Sequence, residues 1–446
     1  MTKNINRRDF IKTLGLGAAS AATIATGCRT NNKSETVDQK VFGEMTYRMS
    51  PNKQEKVSLL GYGCMRWPTI GQGNELQVDQ EAVNQLVDYA IEHGVNYFDN
   101  APVYIQGLSE KATGIALGRH PRDKYFVATK LSNMSNDSYQ VAVDMYHQSF
   151  ENLKVDYFDY YLLHNFGDMA TFNRRFINNG VMDFILKERE AGRIRNLGFS
   201  FHGRSSNFDE LVALTDTYHW DFVQIQLNYI DWEGPNDAKH LYEVLEAHDI
   251  SVVIMEPLLG GRLSSVNDYI ASQMKERRPG DSIASWAFRF AGSPAKILTV
   301  LSGMTYMEHL QDNVLTFSPL ELITLEEHDF LMKVASNYRS LQLIPCNDCK
   351  YCMPCPYGID IPSILLYYNK CVNSGKILLS SVDSNYKAAR KEFLIGYDRA
   401  VENLRQANHC IGCRKCVEEC PQRINIPQQL QKVDAYYENL KQNKEF

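Results

Sequence analysis

The sequence predicts an α/β protein, a parallel (β/α)8 barrel followed by a smaller, mainly helical domain built around clustered cysteines. Three observations predict it. Between about residues 50 and 320, short apolar runs alternate with amphipathic stretches eight times. The polar residues of that region collect where the apolar runs end. Eight of the eleven cysteines stand in two C-terminal blocks. At 446 residues, 44% hydrophobic and 22% charged, the chain is long enough for one large domain and one smaller one.

The eight runs are VSLLGYG, NYFDNA, KYFVATK, YFDYYLLH, IRNLGFS, FVQIQLN, SVVIMEP and KILTVLSG. Each is short, rich in β-branched and aromatic residues, and followed by a segment of helical period, the order of a parallel barrel. After the first run, Ala82, Val83, Leu86, Ala90 and Ile91 fall at helical spacing and Gly94 closes the helix. Residues 320–340 repeat the pattern through Leu322, Leu325, Phe330, Leu331 and Val334, a helix expected to pack on the barrel. Barrels of this kind place their chemistry where strands end. Those ends carry Asp99, Lys130, His164, Ser200, Asn228, Glu256 and Gly303, and the aromatics Trp67, Phe166 and Trp232 follow strand ends as candidates to line a pocket.

Reducing a carbonyl leaves negative charge on oxygen, which must receive a proton as it forms. A tyrosine hydroxyl, with an ordinary pKa of about 10, needs a neighbouring cation to become acidic enough. Tyr104, Lys130, Asp99 and His164 supply the parts: an acid, a cation, a carboxylate to hold that cation, and a hydrogen-bond donor for the oxygen. Asp99 with Tyr104 five residues on, Lys130 and His164 resemble the Asp–Tyr–Lys–His tetrad of the aldo/keto reductases. The motifs GRIRNLGFS, QIQLN and the segment from Ser302 to Asn313 continue the likeness across the barrel. More closely, the chain resembles the bacterial subgroup of aldo/keto reductases with a twin-arginine signal and a ferredoxin-like 4Fe-4S domain at the C-terminus.

The resemblance implies Tyr104 as general acid/base and NAD(P)H as hydride donor. Ser200 and Gln224 match residues that hold the nicotinamide carboxamide, and Gly303 falls at the adenosine end; Gly260 and Gly261, with Arg262 as the nearest cation, read either as a loop over a phosphate or as a tight turn. The pattern departs from the family where Met255 replaces the stacking tyrosine and Glu256 falls where a serine meets the pyrophosphate. Gly303 and His309 likewise replace the cations of the adenosine end. A carboxylate facing phosphates is repulsive. A flavin or quinone stays open as an alternative carrier, without a motif of its own.

The cysteine blocks are Cys346, Cys349, Cys352 and Cys355 before Pro356, and Cys410, Cys413, Cys416 and Cys420 before Pro421. The second has the CxxCxxCxxxCP spacing of bacterial ferredoxins, and the pair reads as ligands for two 4Fe-4S clusters. Structural zinc is the alternative for paired CxxC motifs. By resemblance, the fourth cysteine of each block crosses over. Cys346, Cys349, Cys352 and Cys420 would then share one cluster, and Cys410, Cys413, Cys416 and Cys355 the other. The first block is one residue shorter between its third and fourth cysteines, which leaves other partitions open. Cys64 and Cys371 lie in apolar surroundings, as buried inert thiols do. The tyrosine-rich stretch between the blocks is expected to form helices joining them, with Lys387 to Lys391 on a solvated face.

Residues 1–28 read as a twin-arginine export signal around Arg7 and Arg8, ending at Cys28 in a weak lipobox; residues 29–49 read as a polar linker. The apolar run before Cys28 is too short and glycine-rich to span a bilayer. The domain limits expected are 50–340 for the barrel with its trailing helix and 341–446 for the cluster domain. Cleavage before Cys28 removes four basic residues and one acidic, taking the net charge from −6 to −9. So acidic a body has no electrostatic affinity for nucleic acid or anionic lipid. The expectation is an exported, periplasmic iron-sulfur oxidoreductase, reducing a small carbonyl compound or oxidising an alcohol. Its membrane contact would be limited to a lipid on Cys28, and its redox partner would be a protein or the quinone pool. The alternative is an electron-transfer protein whose barrel only binds a ligand or partner; in a third reading the clusters are structural.

Overall fold

The computed structural model describes residues 43–71, 75–134, 136–234, 236–377 and 384–442. Arg7, Arg8, Cys28 and most of the expected linker lie outside the described residues. The end of that linker is structured: strand β1 (Tyr47–Met49) pairs antiparallel with β2 (Lys56–Ser58), Met45 is buried, and the Tyr47 hydroxyl donates to Gly94 O at 3.1 Å. Composition alone had suggested a tether up to residue 49, because the apolar residues there are too few to show a period.

All eight apolar runs become strands of one closed barrel. They are β3 (Leu60–Gly63), then, after a small antiparallel pair β4 (Thr69–Ile70) and β5 (Gln77–Val78), β6 (Tyr97–Asp99), β7 (Phe126–Leu131), β8 (Phe158–Phe166), β9 (Ile194–Phe201), β10 (Phe222–Gln226), β11 (Ser251–Met255) and β12 (Ile297–Ser302). Each pairs in parallel with its neighbour and β12 closes on β3. Burial on both faces explains why the runs read as nearly continuous apolar sequence. In β8, Tyr160 and Leu162 join the barrel's interior cluster, while Tyr161 and Leu163 join the core beneath the outer helices, the alternation a strand imposes.

The helix Gln80–Glu92 starts on Asp79, whose side chain accepts from Ala82 N, and Gly94 ends it at φ 87°, a conformation cheap for glycine. The helix expected at 320–340 begins later. It spans Leu325–Ser340, capped by Thr324 and Glu327 in a reciprocal box. Leu322 and Leu325 are exposed, while Phe330, Leu331 and Val334 are buried; Leu322 precedes the Thr324 cap and Leu325 opens the first turn on its outer side.

The C-terminal region has its own core, including Ile364, Leu365, Tyr368, Phe393, Tyr397 and Val433, from the helices Ile361–Asn373, Tyr386–Ala400 and Ile426–Gln442. Lys387 and Lys391 are solvated as expected, and Arg390 instead donates to Leu440 O at 2.6 Å. Cys64 and Cys371 are both buried.

Candidate active site at the barrel mouth

The ends of β6, β7 and β8 bring Asp99, Lys130 and His164 to one cavity, and Tyr104 joins them from the turn after β6. Lys130 Nζ donates to Asp99 Oδ2 and to Asn100 O, both at 2.6 Å. All these side chains are nearly inaccessible to solvent. Burial raises the Asp99 carboxyl and lowers the Lys130 amine, and each partner's charge offsets that effect in the other. Residues 105 and 106, directly after Tyr104, take φ of 51° and 55°, backbone strain of the kind that collects at functional sites. A buried network holds this turn: Asn100 Oδ1 accepts from Ser109 Oγ at 2.9 Å and Thr113 Oγ1 at 3.2 Å.

Lys130 Nζ lies 4.9 Å from the centre of the Tyr104 ring. The sequence led us to expect this cation to make the phenol more acidic. Its surroundings act in the opposite direction: burial first, then Asp99, Tyr351, Cys64 and Glu256, push Tyr104 well above the usual phenol range. The hydroxyl therefore stays protonated in the resting protein. His164 is held far below the usual imidazole range by burial and by Lys130. Its Nδ1 pairs with Ser132 Oγ at 2.6 Å, leaving Nε2 for the cavity. A neutral imidazole can donate there without adding charge.

The cavity is small, about 110 Å³, and its far wall comes from the C-terminal region: Asn347, Cys349, Tyr351, Pro421 and Gln422. Buried polar atoms around it lack partners, namely Asp99 Oδ1, His202 Nδ1, Gln224 Oε1 and Asn347 Oδ1. Unpaired groups at this density suit a polar ligand. Trp67, Phe166 and Trp232 do not line it. Trp67 is buried with Nε1 donating to Thr113, Phe166 packs among aromatics of the core, and Trp232 packs on Phe290.

The residues expected to hold a dinucleotide are mostly engaged elsewhere. Ser200 Oγ accepts from Asn165 N at 2.9 Å. Arg262 donates to the Tyr338 hydroxyl at 3.2 Å. Gly260, at φ 67°, lies so close to the backbone of Asn347 that an added Cβ would stand 2.1 Å from its carbonyl oxygen. Gly303 is exposed beside the Arg66 side chain, which an added Cβ would meet at 2.9 Å, and Arg66 donates to Asn347 O at 2.7 Å. His309 is exposed beside Tyr306. Glu256 is half-buried at the cavity, at φ 56°, and burial raises its carboxyl while Arg66 partly offsets this.

The two cysteine loops share one backbone device. Positive φ recurs two and four residues after the first cysteine of each block, at Asp348 and Lys350 and again at Gly412 and Arg414. Such turns direct successive N–H groups inward, forming concavities for anions such as iron-sulfur centres. Cys420 is close enough to raise the thiols of Cys346, Cys349 and Cys352 beyond the larger effect of burial, and Cys355 acts likewise on Cys416 together with Cys410 and Cys413. Cys416 also raises Cys352, so the two groups of thiols adjoin each other. Among the described residues, no three His, Cys, Asp or Glu side chains converge as they would on a single metal ion; a cube spreads its cysteines over separate irons. The first loop is turned to the barrel, whereas residues 411–415 of the second are all exposed.

Residues 59–329 match the Aldo/keto reductase family. The chain belongs to the aldo/keto reductase family. Residues 345–425 match the 4Fe-4S dicluster domain, so this oxidoreductase carries a 4Fe-4S domain that follows its barrel. It is 25% identical over 299 residues to L-galactose dehydrogenase of Arabidopsis thaliana, covering 61% of this chain and 88% of that protein. With an aldo-keto reductase of Mycolicibacterium vanbaalenii it shares 28% identity, over 56% and 82%. Among solved structures, a Klebsiella pneumoniae aldo-keto reductase in complex with NADPH aligns with a TM-score of 0.53 at 21% identity, over 65% of this chain and 96% of that one. A Bacillus halodurans aldo-keto reductase aligns equally well, at 22% identity over the same shares. The likeness to these two is one of fold.

Sequence reasoning placed the tetrad residues together correctly but missed Tyr351, Asn347, Arg66, His202 and Gln422. Tyr351 had one signal, a bulky aromatic inside a metal-binding loop. Arg66 and His202 closely follow the ends of β3 and β9, a strand-end signal; Asn347 and Gln422 had none, because only domain docking brings them to the mouth.

Proposed function

We propose that this protein is an exported iron-sulfur oxidoreductase that interconverts a small carbonyl compound and its alcohol at Tyr104, Lys130, Asp99 and His164. The observation that carries this reading is the buried Lys130–Asp99 pair at 2.6 Å, with Tyr104 and His164 on the same cavity. Keeping a charged pair out of water is costly, and its position beside an acid and a hydrogen-bond donor gives it a use. His164 orients the carbonyl oxygen. Tyr104 donates its proton as the oxygen becomes anionic; an alkoxide, whose conjugate acid is about as weak as water with pKa near 15.7, accepts even from a phenol of raised pKa. Lys130 stabilises the phenolate left behind, and Asp99 keeps Lys130 in place.

Cys346, Cys349, Cys352 and Cys420 would hold one 4Fe-4S cluster, and Cys410, Cys413, Cys416 and Cys355 the other. Bound there, such clusters supply electrons singly. The chemistry of the donor set fits: eight thiols crowd in two groups inside anion-binding loops, and cationic iron relieves their mutual repulsion. For location, support comes from Arg7 and Arg8 before a weakly apolar run and Cys28; the reading is twin-arginine export to the periplasm with a lipid on Cys28. Among the described residues no helix is long and apolar enough to cross a membrane.

Tyr104→Phe tests the catalytic reading. Turnover should fall roughly 10²- to 10⁴-fold with iron content unchanged. Unchanged turnover or electron transfer would favour a carrier whose barrel is only a docking body. For export, changing Arg7 and Arg8 to lysine should leave the protein in the cytoplasmic fraction.

A further inference from the structure

We infer that the C-terminal domain stands where a dinucleotide would lie, and that the substrate receives single electrons from the side of the Cys346–Cys352 loop without any bound nicotinamide. This rests on the reading of the barrel mouth as a carbonyl site.

Three kinds of observation carry it. The first is space. The cavity of about 110 Å³ falls well below the roughly 300–1,000 Å³ of sites for drug-sized ligands, and a dinucleotide is larger than those. The loop expected to cradle phosphate is closed by the chain itself, with Gly260 against the Asn347 backbone. Gln422 Nε2 donates to Gln226 Oε1 at 2.8 Å, and Arg423 donates to Asn236 Oδ1 at 3.1 Å, so two separate stretches of the C-terminal region close over the mouth.

The second is charge. Phosphates need cations or free N–H groups. Here Glu256 faces the cavity, Arg262 is turned to Tyr338, and Arg66 is spent on Asn347 O and on Asp348, whose Oδ2 lies 3.5 Å away. The third is what replaces the cofactor. Cys349 and Tyr351 line the same cavity as Tyr104 and Lys130, so a ligand of the first cysteine group borders the reacting pocket. The second loop is open to solvent from residue 411 to 415, which leaves a face for an external donor.

The chemistry balances without hydride. The carbonyl takes up two electrons and two protons; its π bond breaks, an O–H bond forms with the Tyr104 proton, and a C–H bond forms with a proton from solvent. Two equivalents of a reduced one-electron carrier protein are oxidised, and Tyr104 is reprotonated from water.

The test uses the anaerobically purified full chain, with iron at about eight per protein. NADPH and NADH are titrated in up to about 1 mM, followed by nicotinamide fluorescence and calorimetry, and the visible absorbance of the clusters is followed after NADPH or reduced methyl viologen is added. We expect no saturable binding of either nucleotide, no bleaching by NADPH, and bleaching by the viologen. One-site nucleotide binding, or bleaching by NADPH as complete as by the viologen, would overturn the inference. That result would leave the carbonyl reading standing, since loss of turnover in Tyr104→Phe is measured separately.

Discussion

The two sides of the barrel mouth have been treated differently. On the side of β6 to β8, Asp99, Lys130, His164 and Tyr104 stand at strand ends, fixed by barrel geometry and buried hydrogen bonds. On the side of β11 and β12, the positions suited to a nucleotide stand close against Asn347 and Arg66 or are faced by Glu256. On the reading proposed above, a barrel keeps its acid, cation and donor while exchanging the source of electrons, because the two sets of groups sit on different strands. The difference teaches that a tetrad identifies the reaction site but not the reductant.

The strongest way to break the comparison is to disturb the side that is held by buried charge. Lys130→Ala leaves Asp99 unpaired at the bottom of the cavity, and removing one partner of a buried pair costs about 3–5 kcal/mol. The urea midpoint should drop accordingly and turnover should vanish. A stability loss below 1 kcal/mol would mean the pair is open to water, and the cavity wall would need redrawing.

The tetrad was legible in the sequence for a physical reason: strand ends are set by periodicity, and Asp99, Lys130 and His164 are polar residues interrupting apolar runs. The crossed cysteine pairing is an expectation from resemblance alone, whereas the kinship of the two loops shows in their backbone, where Asp348 and Lys350 are repeated by Gly412 and Arg414. Tyr351 and Asn347 were not legible as cavity residues. Their place depends on how a second core, built on Ile364 and Phe393, docks on the first, and no local pattern encodes docking. Leu322, Leu325 and Trp232 show the converse error, apolar residues whose period or position promised a role that the chain's turns then denied.

A second prediction sharpens the polar character of the tetrad side. His202 is half-buried and held down to about 4, chiefly by desolvation, against about 6.5 when unfolded. Between those values the unfolded chain binds a proton that the folded chain does not. Stability from this residue is therefore complete above about pH 6.5 and falls as pH drops towards 4, by roughly 3 kcal/mol in all. His202→Asn should flatten the wild-type slope of unfolding free energy between pH 6.5 and 4.5; an identical slope would place the titration elsewhere.

On the opposite side, Gly260→Val would force a β-branched residue into φ 67° and against the Asn347 carbonyl. The strain is on the order of 1–3 kcal/mol, and it acts where the two cores meet. We expect the first cysteine loop to loosen from the barrel, so that the clusters bleach faster in air at unchanged tetrad geometry. Bleaching at the wild-type rate would show that the loop is held by its own core and not by the barrel.

The smallest expected effect belongs to Arg66, whose side chain crosses Gly303 to reach Asn347 O at 2.7 Å. It is partly solvated, so Arg66→Ala should cost no more than about 1 kcal/mol. Its electrostatic consequence is more telling than its stability. Arg66 is the largest influence that lowers the Glu256 carboxyl against burial, so its removal should raise that carboxyl further, but it also takes a positive charge from the cavity wall, which becomes no less anionic. If nucleotide is excluded by charge, Glu256→Gln with Arg66 kept should gain weak NADPH binding that Arg66→Ala does not. If the Asn347 backbone and the small cavity exclude it by volume, as the structure argues, binding stays absent at every pH, and only shortening the loop between Ile344 and Cys352 could restore it.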